Sequence, residues 1–360
     1  MDRRTLLKAP LAVAAAAAAT SPALAQGGRT IDIRIGGGHP PAALWISTIR
    51  DSYMPNVIRR VQAETPHRIR FTEGFGGSVC RPGECLEAAE TGLLDVAEIQ
   101  VIFEPAKLMA HNFTIYVPFG PADAKLAARC VRETYARVPR LGQILERTHR
   151  QVYLAASVVG NYGVLTTFNW NTLAELRGRK IAAAGPNLPW LQGQGVGVVP
   201  VQSNLNEAYT AMQTGVYEGW IMFPDGVTGF RLHELSRQFV RSDFGAQGNP
   251  CLTINAQTWR GLPADVQNIL RDEAEKWSDH LGDVINQRAE ESMEIMRRAG
   301  LTVRVLGNEE KTVWANALPN MARQRMEEMR RNNQPAEAVS TYVQLVTEAG
   351  HRFPRDWLNS

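Results

Sequence analysis

The most informative part of the chain reads TLAELRGRKI (residues 172–181), VPV (199–201) and NEAYTAMQTGVYEG (206–219). Its pattern predicts a short helical piece over 173–177, an apolar strand over 180–184 and a helix over 206–214. Helix and strand therefore alternate in this segment, which is typical of an α/β protein.

The same alternation is found upstream. Strands are predicted over 30–35, 68–72 and 96–102, with helices over 43–63 and 86–93 between them. Further strands are predicted over 151–159, 164–168 and 251–255. Because helical crossovers join parallel strands, this order argues for largely parallel pairing. Two α/β units suit a chain of 360 residues.

A long helix is predicted over 263–300. Apolar residues recur three or four apart from Val266 to Met296, Pro263 suits the first turn, and Gly300 is the expected stop. A helix of about 36 residues is roughly 54 Å long, which is enough to span two domains. A final helical region covers 321–331 and 336–349.

The N-terminus has the pattern of an export signal. Arg3 and Arg4 precede an apolar stretch over 9–19, and Ala23-Leu24-Ala25 is a small-x-small cleavage pattern. This predicts a twin-arginine signal peptide over 1–25, cleaved after Ala25, with an uncleaved anchor as the alternative. No later stretch reaches about 18 apolar residues, so we expect a periplasmic protein that is not membrane-embedded.

The charge balance excludes some partners. The chain has 39 basic and 36 acidic residues, and removal of 1–25 leaves 36 and 35, a net charge of +1. A near-neutral chain is neither a strongly basic nucleic-acid binder nor a polybasic membrane binder.

The cysteines and histidines do not form a metal-binding pattern. Cys80 and Cys85 flank a turn-prone Arg-Pro-Gly-Glu spacer, so a local disulfide is possible in an exported protein. For Cys130 and Cys251, two buried thiols are favoured over a bridge. The chain also lacks a Gly-x-Ser-x-Gly elbow, a His-Glu-x-x-His motif and a Walker loop. We therefore predict no enzyme activity, no metal and no cofactor.

The motifs and the order in which they occur resemble those of a known protein family. The RGRKI, VPV and NEAYTAMQTGVYEG stretches, with Ile254-Asn255 and Trp259-Arg260-Gly261-Leu262-Pro263 further on, are similar to the solute receptors of TRAP (tripartite ATP-independent periplasmic) transporters of the C4-dicarboxylate-binding type. The resemblance implies a two-lobed periplasmic binding protein fold, hinge closure over a solute and no catalysis. The pattern along the chain places lobe I over 26–159, lobe II over 160–220, a return to lobe I over 221–262, the spanning helix over 263–300, and a C-terminal helical region over 301–360 completing lobe II.

The sequence departs from this family at one functional position. The usual receptor holds a carboxylate with an arginine directly after Lys-Ile, and here that residue is Ala182. Two interpretations stay open. A carboxylate is anchored elsewhere, through Arg81 or His39, or the ligand needs no anionic clamp and is held by aromatic and amide groups. The second is favoured slightly.

The candidate ligand-binding residues are those that fall near the positions where the family lines its cleft. They are Trp190, Asn161, Tyr162, Asn206, Trp220, Phe223, Gln100, His39 and Arg81. The expected function is capture of a small organic solute, a carboxylate and possibly aromatic, for delivery to TRAP-type membrane permease subunits. A receptor that feeds a sensor protein and an exported enzyme on the same scaffold are the alternatives.

Overall fold

The computed structural model describes residues 28–194 and 196–359. The predicted signal peptide, residues 1–25, lies outside the described residues. In the described part of the chain, no helix is long and apolar enough to span a membrane.

The strands are short and largely buried. They are β1 (Thr30–Gly37), β2 (Arg68–Gly74), β3 (Val96–Gln100), β4 (Gln151–Ala156), β5 (Gly163–Thr166), β6 (Lys180–Ala183), β7 (Val199–Gln202), β8 (Gly219–Met222), β9 (Gln238–Arg241), β10 (Pro250–Asn255) and β11 (Thr302–Val305).

Most helices pack against one of the two sheets or against each other. They are α1 (Leu44–Thr48), α2 (Met54–Glu64), α3 (Cys85–Glu90), α4 (Ala124–Arg137), α5 (Arg140–His149), α6 (Leu205–Gln213), α7 (Pro224–Gly229), α8 (Ala256–Gly261), α9 (Ala264–Arg298), α10 (Asn308–Ala317), α11 (Met321–Arg331) and α12 (Glu337–Glu348). A π-helical turn, Ile49–Tyr53, joins α1 to α2 within the single helix predicted over 43–63.

The strands form two sheets, one in each lobe. The first lobe has the order β2-β1-β3-β10-β4, and the second has β11-β9-β5-β8-β6-β7. This arrangement confirms the two-lobed α/β class. The pairing is mixed, since β10 runs antiparallel to β3 and β4, and β5 runs antiparallel to β8 and β9. The chain enters β5 and β10 from the opposite lobe, and each therefore runs against its neighbours.

Two crossing segments, residues 157–162 and 242–249, connect the sheets. Because β9 belongs to the second sheet, the second lobe extends past the expected limit of residue 220. The polar 232–237 region precedes a strand of only four residues, so the sequence pattern there was weak. After α9, β11 pairs with β9, whereas α12 packs against α4 of the first lobe.

Helix α9 contacts both lobes along its 35 residues. In the first lobe, the Trp277 indole donates a hydrogen bond to Thr48 Oγ1 at 2.9 Å. Toward the other end, the Ser292 and Thr228 hydroxyls lie 2.8 Å apart, and Thr228 belongs to α7. The helix therefore runs from one lobe to the other, as its length predicts.

Candidate functional site

A cavity of about 40 Å³ lies between the lobes. This volume is well below the roughly 300–1,000 Å³ typical of small-molecule sites, so the lobes must part before a ligand larger than a few water molecules can enter. Its walls come from both sheets and from a crossing segment. The lining residues are His39, Trp45, Gln100, Ile102 and Phe103 from the first lobe, Val159 and Tyr162 from the crossing, and Ala184, Asn187, Asn204, Leu205, Trp220, Ile221, Met222 and Phe223 from the second lobe.

Aromatic rings meet edge to face around the cavity. Trp45 of the first lobe lies 6.0 Å from Phe223 of the second, with 71° between the ring planes. Phe223 also lies 5.2 Å from Tyr162 at 85°. His39 meets Trp45 at 5.2 Å and 81°. Such pairs are favourable beyond their buried area, so they hold the two lobes together around the cavity.

The polar groups of the cavity wall are uncharged at neutral pH. Burial lowers the pKa of His39 to about 4, so its imidazole is neutral, and its Nδ1 atom has no hydrogen-bond partner. Asn187 is 1% exposed, and its Oδ1 atom also lacks a partner. Among the described residues, no lysine or arginine lines the cavity.

Two buried carboxyl groups lie behind the lining residues. Glu98 Oε1 accepts a hydrogen bond from Gln100 Nε2 at 3.0 Å, and desolvation raises the Glu98 pKa to about 8. Desolvation likewise raises the pKa of Asp225, at the start of α7, to about 7. A Cβ atom on Gly160 would lie only 2.7 Å from Asp225 Oδ1, so glycine lets the crossing segment pass the carboxyl.

We expect Glu98 to make the protein less stable as pH rises. The unfolded glutamate loses its proton near the ordinary glutamate pKa of 4.5, whereas the folded group keeps it up to about 8. Between these values unfolding releases a proton, so the free energy of unfolding falls by up to about 1.4 kcal/mol per pH unit.

Urea unfolding at pH 5, 6.5 and 8 checks this prediction. In Glu98→Gln the decrease between pH 5 and 8 should be smaller than in the wild type. An equal pH dependence in the two proteins would contradict the assignment. The exposed Glu309→Gln serves as the matched control and should retain the wild-type profile.

The structure brings five of the nine candidate residues to the cavity: His39, Gln100, Tyr162, Trp220 and Phe223. Trp190 instead lies behind Tyr162, with 5.5 Å between their ring centroids, and stacks on Phe244 at 5.1 Å. Its indole donates a hydrogen bond to the Ile115 carbonyl at 3.0 Å. In this structure Trp190 therefore supports the cavity wall without lining it.

Asn161 connects the two crossing segments. Its Oδ1 atom accepts a hydrogen bond from the Gly245 amide at 3.0 Å, and its Nδ2 atom donates to Asp243 Oδ1 at 2.7 Å. Asp243 is also paired with Lys311 and Arg241. Both polar atoms of the Asn161 side chain therefore have hydrogen-bond partners within the segments that connect the lobes.

We expect Asn161→Ala to lower the free energy of unfolding by about 1–3 kcal/mol, because the Gly245 amide is left buried and unpaired. The binding free energy for an aromatic solute should change by less than the free energy of unfolding, because Asn161 does not line the cavity. Urea unfolding and calorimetry would check both. Unchanged stability together with lost affinity would instead make Asn161 a direct ligand contact.

The remaining two candidates lie beside the cavity. Asn206 Nδ2 reaches across the cleft to the Gly38 carbonyl at 3.3 Å. Arg81 is exposed and lies in the loop closed by the Cys80–Cys85 disulfide. That loop packs on the backbone before His39, since a Cβ atom on Gly38 would lie 2.3 Å from Pro82 N. Cys130 and Cys251 are free and buried.

Sequence reasoning missed most of the other residues of the wall, including Trp45, Phe103 and Asn187. Trp45 falls on the apolar face of a helix, where the pattern indicates only burial. Asn187 was detectable, because an amide in the Asn-Leu-Pro-Trp loop after β6 lies at the strand end where binding clefts form. In the described ranges, no cluster of His, Cys, Asp and Glu could hold a metal ion.

Two lobes, two crossing segments and a cavity between the sheets are the features of a solute-binding protein. Residues 61–329 match the family of bacterial extracellular solute-binding proteins, family 7, also called DctP. The chain belongs to this family, which consists of substrate-binding receptors of TRAP systems, and the resemblance seen in the sequence is confirmed.

Individual relatives agree with this assignment. The C4-dicarboxylate-binding periplasmic protein DctP of Rhodobacter capsulatus is 30% identical over 124 residues, which is 34% of this chain and 37% of that protein. The match to this curated relative thus spans little more than a third of its length.

Three solved structures share the fold. A marine metagenome TRAP solute-binding protein specific for aromatic acids, in complex with 3-hydroxybenzoate, is 16% identical with a TM-score of 0.79, covering 90% of this chain and 100% of that one. A Rhodoferax ferrireducens protein with copurified benzoate is 18% identical with a TM-score of 0.77, covering 88% of this chain and 98% of that one. A Bordetella bronchiseptica protein with bound mandelate is 15% identical with a TM-score of 0.74, covering 89% of this chain and 99% of that one.

Proposed function

We propose that this protein is a periplasmic receptor that binds a small aromatic organic solute between its lobes and delivers it to TRAP permease subunits. The observation that carries the proposal is the aromatic lining of the inter-lobe cavity. Phe103, Tyr162, Trp220 and Phe223 present large apolar surfaces, while Gln100 and Asn187 supply amides that would fix orientation.

The contacts across the cleft explain how binding would be signalled. Trp45 meets Phe223, and Asn206 reaches Gly38, only when the lobes lie together. A solute that touches both lobes adds contacts to the closed state alone, and it therefore shifts the hinge equilibrium toward closure. A permease that recognises the closed receptor would then select loaded molecules.

The relatives support an aromatic solute. The proteins of known structure named above hold 3-hydroxybenzoate, benzoate and mandelate, each of which carries a benzene ring. The Rhodobacter capsulatus relative is named for C4-dicarboxylates. The cavity described here is walled by aromatic rings, which suits an aromatic solute.

Mass spectrometry of solute released from denatured, natively purified protein tests the proposal, with a thermal-shift panel of organic acids and neutral aromatics beside it. We expect an aromatic solute to raise the melting temperature, because saturation at 100 times Kd adds about 2.7 kcal/mol of stability. No retained solute and no stabilisation by any compound would contradict binding.

Delivery and export need separate measurements. Uptake by vesicles that contain TRAP permease subunits should depend on the receptor and its solute; transport without the receptor would argue against delivery. Intact mass of the periplasmic fraction should show a mature chain beginning at Gln26, since the predicted cleavage follows Ala25.

A further inference from the structure

Buried polar atoms in the wall of the inter-lobe cavity lack hydrogen-bond partners. His39 and Asn187 are each 1% exposed, and His39 Nδ1 and Asn187 Oδ1 have no hydrogen-bond partner. Buried polar groups are nearly always paired, and one left unpaired costs about 1–3 kcal/mol. Both residues line the inter-lobe cavity, as does Trp45, whose buried Nε1 donor also has no hydrogen-bond partner and would suit an acceptor atom of a solute. A bound solute is the partner that this arrangement lacks.

The surroundings are unsuited to an anion. No lysine or arginine among the described residues lines the cavity. Arg325 lines an adjoining outer groove that shares Ile102 and Phe103 with the cavity, and it is paired with Glu328 at 2.6 Å. The carboxyl groups of Glu98 and Asp225, behind the wall, would add negative charge when ionised.

The backbone amides nearest the cavity at the start of a helix are partly occupied. Helix α6 starts at the cavity wall, where Asn204 and Leu205 line it. The start of a helix attracts anions because its first amides are unpaired. Here the Asn204 side chain accepts from the Asn206 amide at 3.0 Å, so one of these donors is already used.

Position 182 lies on the same face of the second sheet as Trp220 of the cavity wall. Ala182 pairs with Trp220 across the parallel β6–β8 ladder, and paired residues of neighbouring strands project to the same face of a sheet. Trp220 lines the cavity, as does Ala184, two residues along from Ala182. Ala182 itself is fully buried and does not line the cavity, so this position beside the wall carries a methyl group and no charge.

We propose, building on the function above, that the site selects an uncharged aromatic solute that carries a hydrogen-bond donor, such as a carboxamide or hydroxyl, over the corresponding carboxylate. Asn187 would accept the donor and set this specificity. A carboxylate entering the cavity would lose its water without gaining a countercharge, which is costly.

Calorimetry at pH 7 with matched pairs tests the proposal: benzamide against benzoate, and 3-hydroxybenzyl alcohol against 3-hydroxybenzoate. We expect the uncharged member of each pair to bind at least about tenfold more tightly, or about 1.4 kcal/mol. Equal or tighter binding of the carboxylates would overturn the selectivity and leave the receptor function standing. Binding of none of these compounds, nor of any in the wider panel, would overturn both.

A pair of variants tests the role of Asn187. Asn187→Leu should weaken benzamide at least about tenfold, since the leucine cannot accept its hydrogen bond. Gln202→Leu removes an amide from the outer groove and should change the affinity less than about twofold. Melting temperatures verify that both variants fold. A folded Asn187→Leu protein that retains wild-type affinity would refute the assignment.

Discussion

Trp220→Ala is expected to weaken binding of an aromatic solute by about 2–4 kcal/mol, or roughly 30- to 1,000-fold. Trp220 is 3% exposed, and its ring lies in the cavity wall, held edge to face against Tyr217 at 5.4 Å and 82°. Loss of the indole removes apolar contact with the solute and widens the cavity, so the lobes would close over a looser complex.

The measurement is calorimetric affinity for the compound found to copurify or, failing that, for the tightest binder of the panel. Trp259→Ala is the matched control, because Trp259 lies on α8 beneath the Arg271 guanidinium at 4.9 Å and does not line the cavity. Comparable losses of affinity in both variants would show that global destabilisation, rather than the site, accounts for the effect.

Ala182→Arg is expected to reverse the preference for uncharged solutes. A guanidinium beside Trp220 would supply the absent cation, and hydrogen bonds to charged groups contribute about 1.5–3 kcal/mol, so benzoate should gain roughly 10- to 150-fold in affinity. Benzamide should gain much less, because it carries no charge. Titrations of both ligands against the variant give the comparison.

Ala182→Met distinguishes charge from bulk. Its side chain is unbranched and uncharged, so any loss through overpacking at this fully buried position should appear here as well. If a folded Ala182→Arg protein, checked by its melting temperature, binds benzoate no better than Ala182→Met does, the side chain at 182 does not act on the ligand.

The sequence predicted long, strongly patterned elements well. Helix α9 was expected over 263–300 and spans Ala264–Arg298, because its apolar repeat is continuous and Pro263 and Gly300 mark its ends. Strand β9 was missed because four residues are too few to show a period. The antiparallel pairing of β10 depends on the chain's return from the other lobe, which no local pattern records.

The site was predictable only in part, for a geometric reason. Trp190 and Trp220 are both almost fully buried, at 0% and 3% exposure. Burial alone does not distinguish a ring that packs inside a lobe from one that faces a cavity. That difference arises from how β6, β8 and the crossing segments are arranged in space, and Asn161 likewise proved to be bonded within the connection rather than at the cavity.

Because α9 runs through both lobes, the two lobes cannot be produced as separate fragments by a simple truncation. Each lobe is assembled from separated parts of the chain, and one continuous helix is bonded to Thr48 through Trp277 near its middle and to Thr228 through Ser292 toward its C-terminal end. No single cut in the gene would release a lobe with its own sheet and its share of α9. The two halves should therefore melt as one cooperative unit, and a reporter of solute capture is best inserted in an exposed loop of one lobe rather than between two separately produced fragments.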